Sequence, residues 1–344
     1  MLARGEGYGE RVRLIPYAGY RNAGCLILGG RVVRFGEPMD AGSGALARLR
    51  AMIAIYDSAE LPGVTVRLAG YGRSAEAVSD DEGYFAFDMP LDQPLPDKTR
   101  WEQVTLSAPG RLAQAEAVPA PVLAPGTDGH WGVISDIDDT VIETGATDLV
   151  KNWRRVLVET PSERLAVPGA ASLFRAIAKD HAAPARPFFY VSASPWNLYG
   201  FIAEFMEVNA IPHAPMFLKD WGIDADTLLM DGHEPHKLAA IREIMAFYPG
   251  FRFLLVGDNG ERDVEIYAAI AQEFGARVAG VFIRDTLGTC RDGTKAELLQ
   301  AIEAAGVPTF CGAGFEEALA IFSALDLDRP IEAAKAVAEP VAQV

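Results

Sequence analysis

The sequence predicts an α/β protein: a doubly wound parallel sheet preceded by a β-sandwich-like domain. Three observations predict it. From residue 131 onward, continuous apolar runs alternate with helical periods, the pattern of strands buried on both faces of a parallel sheet. Between about residues 17 and 125 the apolar runs are short, several alternate with polar residues, and Gly, Pro and Asp punctuate them. Joining the two, residues 119–127 hold three prolines, which favour an extended connection. These boundaries divide the chain into a domain over 15–125, a second over 129–328, and a poorly ordered tail over 329–344.

Within the first domain the pattern predicts strands over 30–35, 64–68, 84–87, 101–107 and 111–118. Asp80-Asp81-Glu82-Gly83 is a turn signal before the third. A helix is predicted over 45–56, where Leu46, Leu49, Met52 and Ile53 share a face. The second domain is predicted to carry strands over 131–135, 187–192, 214–218, 251–257 and 277–283. Helices are predicted over 169–179, 198–208, 236–247 and 263–274.

The formal charge is −16, from 31 basic and 47 acidic residues. No basic excess exists to release counterions from phosphates, which argues against nucleic-acid binding and leaves at most peripheral membrane contact. Cys25, Cys290 and Cys311 are far apart and show neither a disulfide framework nor C-x-x-C spacing, a reading that favours a reducing compartment. Residues 1–13 lack an apolar core of a secretory signal, and no window is long and apolar enough to span a bilayer. A cytoplasmic protein is expected.

Ligands bind at the carboxyl ends of strands in an open parallel sheet, and four predicted strand ends here carry polar residues suited to phosphoryl chemistry. The first leads into Asp136-Ile137-Asp138-Asp139-Thr140. Two carboxylates two residues apart can divide labour: one attacks phosphorus, the other handles protons. An acidic helix-capping turn is the bland alternative. The second leads into Ser192-Ala193-Ser194-Pro195-Trp196-Asn197, whose hydroxyls can bond phosphoryl oxygens or merely cap a helix. Lys237 can neutralise phosphate charge and hold the nucleophile, with Lys219 as its competitor for phosphate. Last, Gly257-Asp258-Asn259-Gly260-Glu261-Arg262-Asp263 offers hard oxygen ligands, Asp258 directly and Asp263 as second ligand or orienter of water. A metal pair of His233 and His236 is the lesser reading, because magnesium prefers oxygen.

The order Asp-x-Asp-x-Thr, strand-end Ser, Lys and Gly-Asp-x-x-x-x-Asp resembles the haloacid dehalogenase (HAD) superfamily over about residues 131–325. The resemblance implies Asp136 as nucleophile, Asp138 as general acid/base, and Thr140 and Ser192 near the phosphoryl group. It also implies Lys237 as the motif lysine. Mg2+ would be held by Asp136, Asp258, Asp263 and the backbone carbonyl of Asp138. The related pumps carry Thr where Asp138 stands, and dehalogenases lack that carboxylate, so a phosphatase is implied. Flanking residues around Ser192, Ser194, Trp196, Asn197 and Lys219-Asp220-Trp221-Gly222 are similar to the actin-patch-type phosphatidate phosphatase catalytic domain, of the lipin-like branch. One departure is Lys219 in place of Arg, which keeps charge and loses the guanidinium fork.

The segments between motifs are too short for a large cap domain, so a capless or minimally capped site is expected, open to a bulky phosphorylated lipid. Residues 196–206 are apolar; they either pack on the sheet or contact acyl chains, with Trp196 the exposed candidate. Phosphatidate hydrolysis to diacylglycerol is the leading reading. A HAD phosphatase for a soluble metabolite or phosphoprotein is the alternative, and a catalytically idle interaction protein a third. The N-terminal domain resembles transthyretin-like sandwiches and is assigned packing or binding of a protein partner.

Overall fold

The computed structural model describes residues 11–34, 61–111, 117–143, 166–179, 186–219, 233–290, 292–325 and 327. The helix expected over 45–56, the tail over 329–344 and much of the inter-motif segments where a cap would be inserted lie outside the described residues.

Among the described residues, eight strands precede the linker: β1 (Val12–Pro16), β2 (Gly19–Arg21), β3 (Cys25–Arg34), β4 (Thr65–Gly70), β5 (Arg73–Val78), β6 (Tyr84–Pro90), β7 (Arg100–Ser107) and β8 (Val118–Ala124). In β4 and β6 buried and exposed positions alternate, so Val66, Leu68, Phe85, Phe87 and Met89 all reach one core. The turn before β6 is as the sequence predicts: Gly83 sits at φ 82°, and the Asp80 carboxylate accepts the N–H groups of Glu82 and Tyr84. A side chain at Gly83 would strike the Val32 carbonyl at 2.6 Å.

These strands do not form two stacked sheets. They make one sheet, ordered β1-β3-β2-β8-β7-β4-β5 with β6 on the other edge of β3, and it curls until β5 meets β6. The presumed linker is also partly strand: Pro119 and Pro121 lie in β8, which pairs along its length with β7. A proline is tolerated in a strand where its missing N–H faces no partner, and on the other side of β8 the short β2 reaches only Val122 and Leu123. The true connection is the stretch between Ala124 and Trp131.

The second sheet is built from β9 (Trp131–Ser135), β10 (Phe188–Pro195), β11 (Met216–Lys219), β12 (Arg252–Asp258), β13 (Val278–Arg284) and β14 (Thr309–Gly312). All its pairings are parallel, in the order β11-β10-β9-β12-β13-β14. The helices are α1 (Ala170–Ala178), α2 (Tyr199–Val208), α3 (His233–Phe247), α4 (Asp263–Phe274), α5 (Gly293–Ala304) and α6 (Ala318–Ala324). Phe174 of α1, Phe205 of α2 and Ala318 of α6 join one core with Val133 and Tyr190. Ile241 of α3, Ile270 of α4 and Leu299 of α5 join the other with Ile134 and Phe189. Successive residues of β9 therefore point into opposite cores, the arrangement of a doubly wound sheet.

Within residues 196–206, Leu198, Tyr199, Phe201, Ile202, Phe205 and Met206 are buried, so this segment packs on the sheet. No helix among the described residues is long and apolar enough to cross a membrane. Cys290 and Cys311, read from sequence as unpaired, are joined in a disulfide between the β13–α5 loop and β14. The inference of a reducing compartment loses its support there: parallel pairing of β13 and β14 brings together residues 21 apart.

Candidate active site

The chain first climbs β9, fills one side of the sheet with β10 and β11, then crosses to fill the other with β12, β13 and β14. The strand order reverses between β9 and β12, and a crevice opens at such a switch point beyond the carboxyl ends of the strands. Asp136 follows β9 directly and Asp258 ends β12, so the two motifs meet at that crevice. The Asp136 N–H still donates to the Val256 carbonyl, 2.8 Å, which pins the residue at the sheet edge. Beyond it the loop tightens through Val141 and Ile142 N–H bonds to the Ile137 carbonyl, with Asp139 at φ 53°, a left-handed conformation that aspartate tolerates.

This loop sends its two aspartates to different partners. Asp136 Oδ1 lies 2.8 Å from Lys237 Nζ, and Asp136 Oδ2 accepts a hydrogen bond from Thr140 Oγ1 at 3.2 Å. The Asp138 carboxylate instead accepts Ser192 Oγ at 2.6 Å and Ser194 Oγ at 3.0 Å. The serines reach it through an irregularity in β10. Val191 pairs with Phe217 and Pro195 with Lys219, so three residues of β10 stand opposite Leu218 alone. That bulge turns the hydroxyls toward Asp138 and brings Lys219 level with the serine segment. Trp196 is half-buried and stacks on Tyr17 at 4.8 Å, and Asn197 Oδ1 is buried without a hydrogen-bond partner among the described residues.

Lys237 enters from α3, 2% exposed, and donates to Glu261 Oε2 at 2.7 Å and Asp263 Oδ1 at 2.9 Å. Burial alone would lower its pKa, but Asp136, Asp263 and Glu261 outweigh it and hold the ammonium well above its ordinary value. Asp263 opens α4 and turns its other oxygen to the Asp258 N–H at 3.2 Å. Gly257 makes this possible, since a Cβ there would collide with Asp263 Oδ2 and with Tyr267. The Asp258 carboxylate accepts the Gly260 N–H at 2.9 Å and Thr286 Oγ1 at 3.3 Å.

Ligand oxygens of Asp136, Asp258 and Asp263 all lie within 4.8 Å of one another, and all three residues are buried. With Glu261, four carboxylates crowd one ammonium. Burial and mutual repulsion raise the pKa of the three buried ones. Burial raises Asp136 well above the carboxylate range, Lys237 opposing it; Asp263 is raised by burial against the same lysine; Asp258 is pushed up to about 7 by burial and by Asp263. An all-oxygen, electron-rich cluster of this kind fits a hard divalent cation, whose charge would offset the excess. His236, from the lesser histidine reading, is outside this cluster, and burial lowers its pKa.

Sequence reasoning assigned no role to four groups that complete the site. Glu261 bridges to Lys237, and its position inside the Asp258 motif was the available signal. Arg284, at the end of β13, donates to the Asp139 carbonyl at 2.8 Å and pairs with Glu143 at 2.6 Å, clamping the first motif from the far side. Asn259 accepts the Thr286 N–H and donates to Asp285. Tyr267 bonds the Val256 carbonyl beneath Asp258. The last three act across strands, where spacing in sequence carries no signal.

Residues 131–285 match the family described as phosphatidate phosphatase APP1, catalytic domain. The match takes in under half of the chain. The matched segment begins with β9 and ends just after Arg284, so it contains every strand-end motif described above. Phosphatidate phosphatase APP1 of Saccharomyces cerevisiae is 31% identical over 154 residues, 44% of this chain and 25% of the yeast protein. An uncharacterized protein of Schizosaccharomyces pombe is 29% identical over 217 residues, 60% of this chain and 34% of its own. The chain thus spans a quarter to a third of the curated relatives it matches. Among solved structures, a carbohydrate acetylesterase from Xanthomonas citri covers 88% of this chain and 68% of its own at 11% identity, with a TM-score of 0.32, too low to bear on fold or activity.

Proposed function

We propose that the protein is a Mg2+-dependent phosphatase of HAD type that works through an aspartyl-phosphate on Asp136, with phosphatidate as substrate. The single observation that carries this reading is the division of the two aspartates. Asp136 faces the lysine and the acidic cluster, while Asp138 is held by two serine hydroxyls.

In this reading an oxygen of Asp136 attacks phosphorus as the bond from phosphorus to the ester oxygen breaks. The departing oxygen takes its proton from Asp138, whose pKa is raised by burial against the opposing serine bonds, so that the acid form is available. Asp138, now ionised, then accepts a proton from water, the water oxygen attacks phosphorus, and the Asp136–phosphorus bond breaks to release inorganic phosphate. Thr140 and Lys237 orient Asp136 and offset its charge. Ser192 and Ser194 hold Asp138 in place between the two half-reactions, and Lys219 and Asn197 contact the substrate head. Asp136, Asp258 and the backbone carbonyl of Asp138 would hold the cation, with Asp263 orienting its waters; the cation supplies charge neutralisation on the phosphoryl oxygens.

The family supports the lipid substrate through the name its yeast member carries. A direct test compares phosphatidate in mixed micelles with a panel of soluble phosphates, with Mg2+ and with chelator. Mg2+-dependent turnover of phosphatidate is expected. Turnover of soluble esters alone would refute the lipid assignment, and none on any substrate would refute the phosphatase.

A further inference from the structure

Beside the serine segment, a cleft of about 450 Å³ lies between the two sheets, a volume in the range of small-molecule sites. One wall is the curled sheet, with Tyr17, Ile27, Tyr84 and Ala86; the other is Met216 and Phe217 of the edge strand β11, with Trp196 at the serine end. Val78 on its rim is 62% exposed, a large aliphatic side chain left in water. Two carboxylates line the cleft, and both are engaged: Asp80 accepts the N–H groups of Glu82 and Tyr84, and Glu243 accepts the Tyr20 hydroxyl. Among the described residues, no lysine or arginine lines it.

We infer that this cleft receives an acyl chain of the lipid substrate, so that the N-terminal sheet forms half of the tail-binding site. The inference rests on the phosphatidate reading and goes beyond it in assigning the sheet a part in substrate selection. Trp196, which lines the cleft, stands two residues beyond Ser194, whose hydroxyl bonds Asp138, so one short segment of chain links the cleft to the candidate phosphoryl site. Its chemistry also fixes the orientation. Carboxylates with no lysine or arginine among the described lining residues disfavour an anionic head, while aromatic and aliphatic walls accept hydrocarbon, so the tail is the end that enters.

The test uses the full chain and three probes: an aryl phosphate, water-soluble phosphatidates with paired acyl chains of increasing length, and a non-hydrolysable phosphonate analogue titrated by calorimetry. Cleft-filling Ala86→Trp, on an exposed position of β6, is compared with wild type, and Val78→Glu serves as a second variant should the first misfold. For wild type, kcat/KM and phosphonate affinity are expected to rise with chain length, by up to about fourfold per methylene until the cleft is full. Either variant flattens that series and leaves aryl phosphate turnover within about twofold of wild type. A flat wild-type series, or variants that follow wild type, overturns the inference while leaving the phosphatase intact. Inhibition by tetra-alkylammonium ions with no chain-length response would reassign the cleft to an organic cation. Loss of aryl phosphate turnover in wild type overturns the phosphatase itself, and the inference with it.

Discussion

At Asp258, burial and the Asp263 carboxylate push the pKa up to about 7, against roughly 3.9 for an unfolded aspartate. The folded state therefore holds this proton more tightly than the unfolded chain. Its contribution to stability is present below about pH 4 and is lost as pH rises toward 7. Burial shifts Asp136, Asp138 and Asp263 in the same direction. In chelator, Asp258→Asn should consequently gain on the order of 2 kcal/mol relative to wild type between pH 5 and pH 8. Thermal unfolding at the two pH values reads this directly, and an identical difference at both would remove Asp258 from the strained cluster. Mg2+ titration by calorimetry should give binding to wild type at pH 8, weaker binding at pH 6, and none to Asp258→Ala. Next to it, Gly257→Ala forces Asp263 and Tyr267 aside, and we expect a loss of about 1–3 kcal/mol in urea unfolding together with weakened Mg2+ binding. A variant with wild-type stability and Mg2+ affinity would show that Asp263 does not depend on that close approach.

Among the elements, the strands of the second sheet were the most legible. Continuous apolar runs over 131–135 and 251–257 differ from β9 and β12 by a residue at most, because strands buried on both faces leave no polar positions to blur the pattern. The helix predicted over 263–274 coincides with α4. Other elements were missed for identifiable reasons. β14 has four residues, α5 mixes polar and apolar positions with only Ala296, Leu299 and Ile302 buried, and β5 is exposed on most positions. β8 was mistaken for linker because its prolines are tolerated only through the shortness of β2, a fact of pairing. The site divides the same way. Asp136, Asp138, Lys237, Asp258 and Asp263 could be read from motif order, whereas the serine bulge and the Arg284 clamp depend on register between strands. The disulfide is a further product of register. Closing a 21-residue loop, it should contribute about 3 kcal/mol, so Cys311→Ser is expected to shift the urea midpoint accordingly. An unchanged midpoint would mean that the bond does not constrain the unfolded chain.

Across the whole molecule, the two sheets share their cores. Tyr17 belongs to the hydrophobic cluster around α1 and α2, and Tyr20 to the one around α3 and α4. Hydrogen bonds from the Ala18 N–H to Tyr199 and from Tyr248 to the Arg21 carbonyl cross the same boundary. The halves should therefore unfold together, and Tyr20→Ala should cost about 3–5 kcal/mol in a single transition. Two resolved calorimetric peaks would contradict that coupling. In the proposed reaction phosphorus is transferred to an oxygen of Asp136, at the switch point of the sheet. Rapid acid quench during turnover of an aryl phosphate, followed by borohydride reduction and peptide mass spectrometry, measures it most directly. Homoserine is expected at position 136 in wild type and none in Asp136→Asn, which should also lose at least about 10³-fold in kcat. Reduction product at any other residue, or steady turnover by Asp136→Asn, would contradict it.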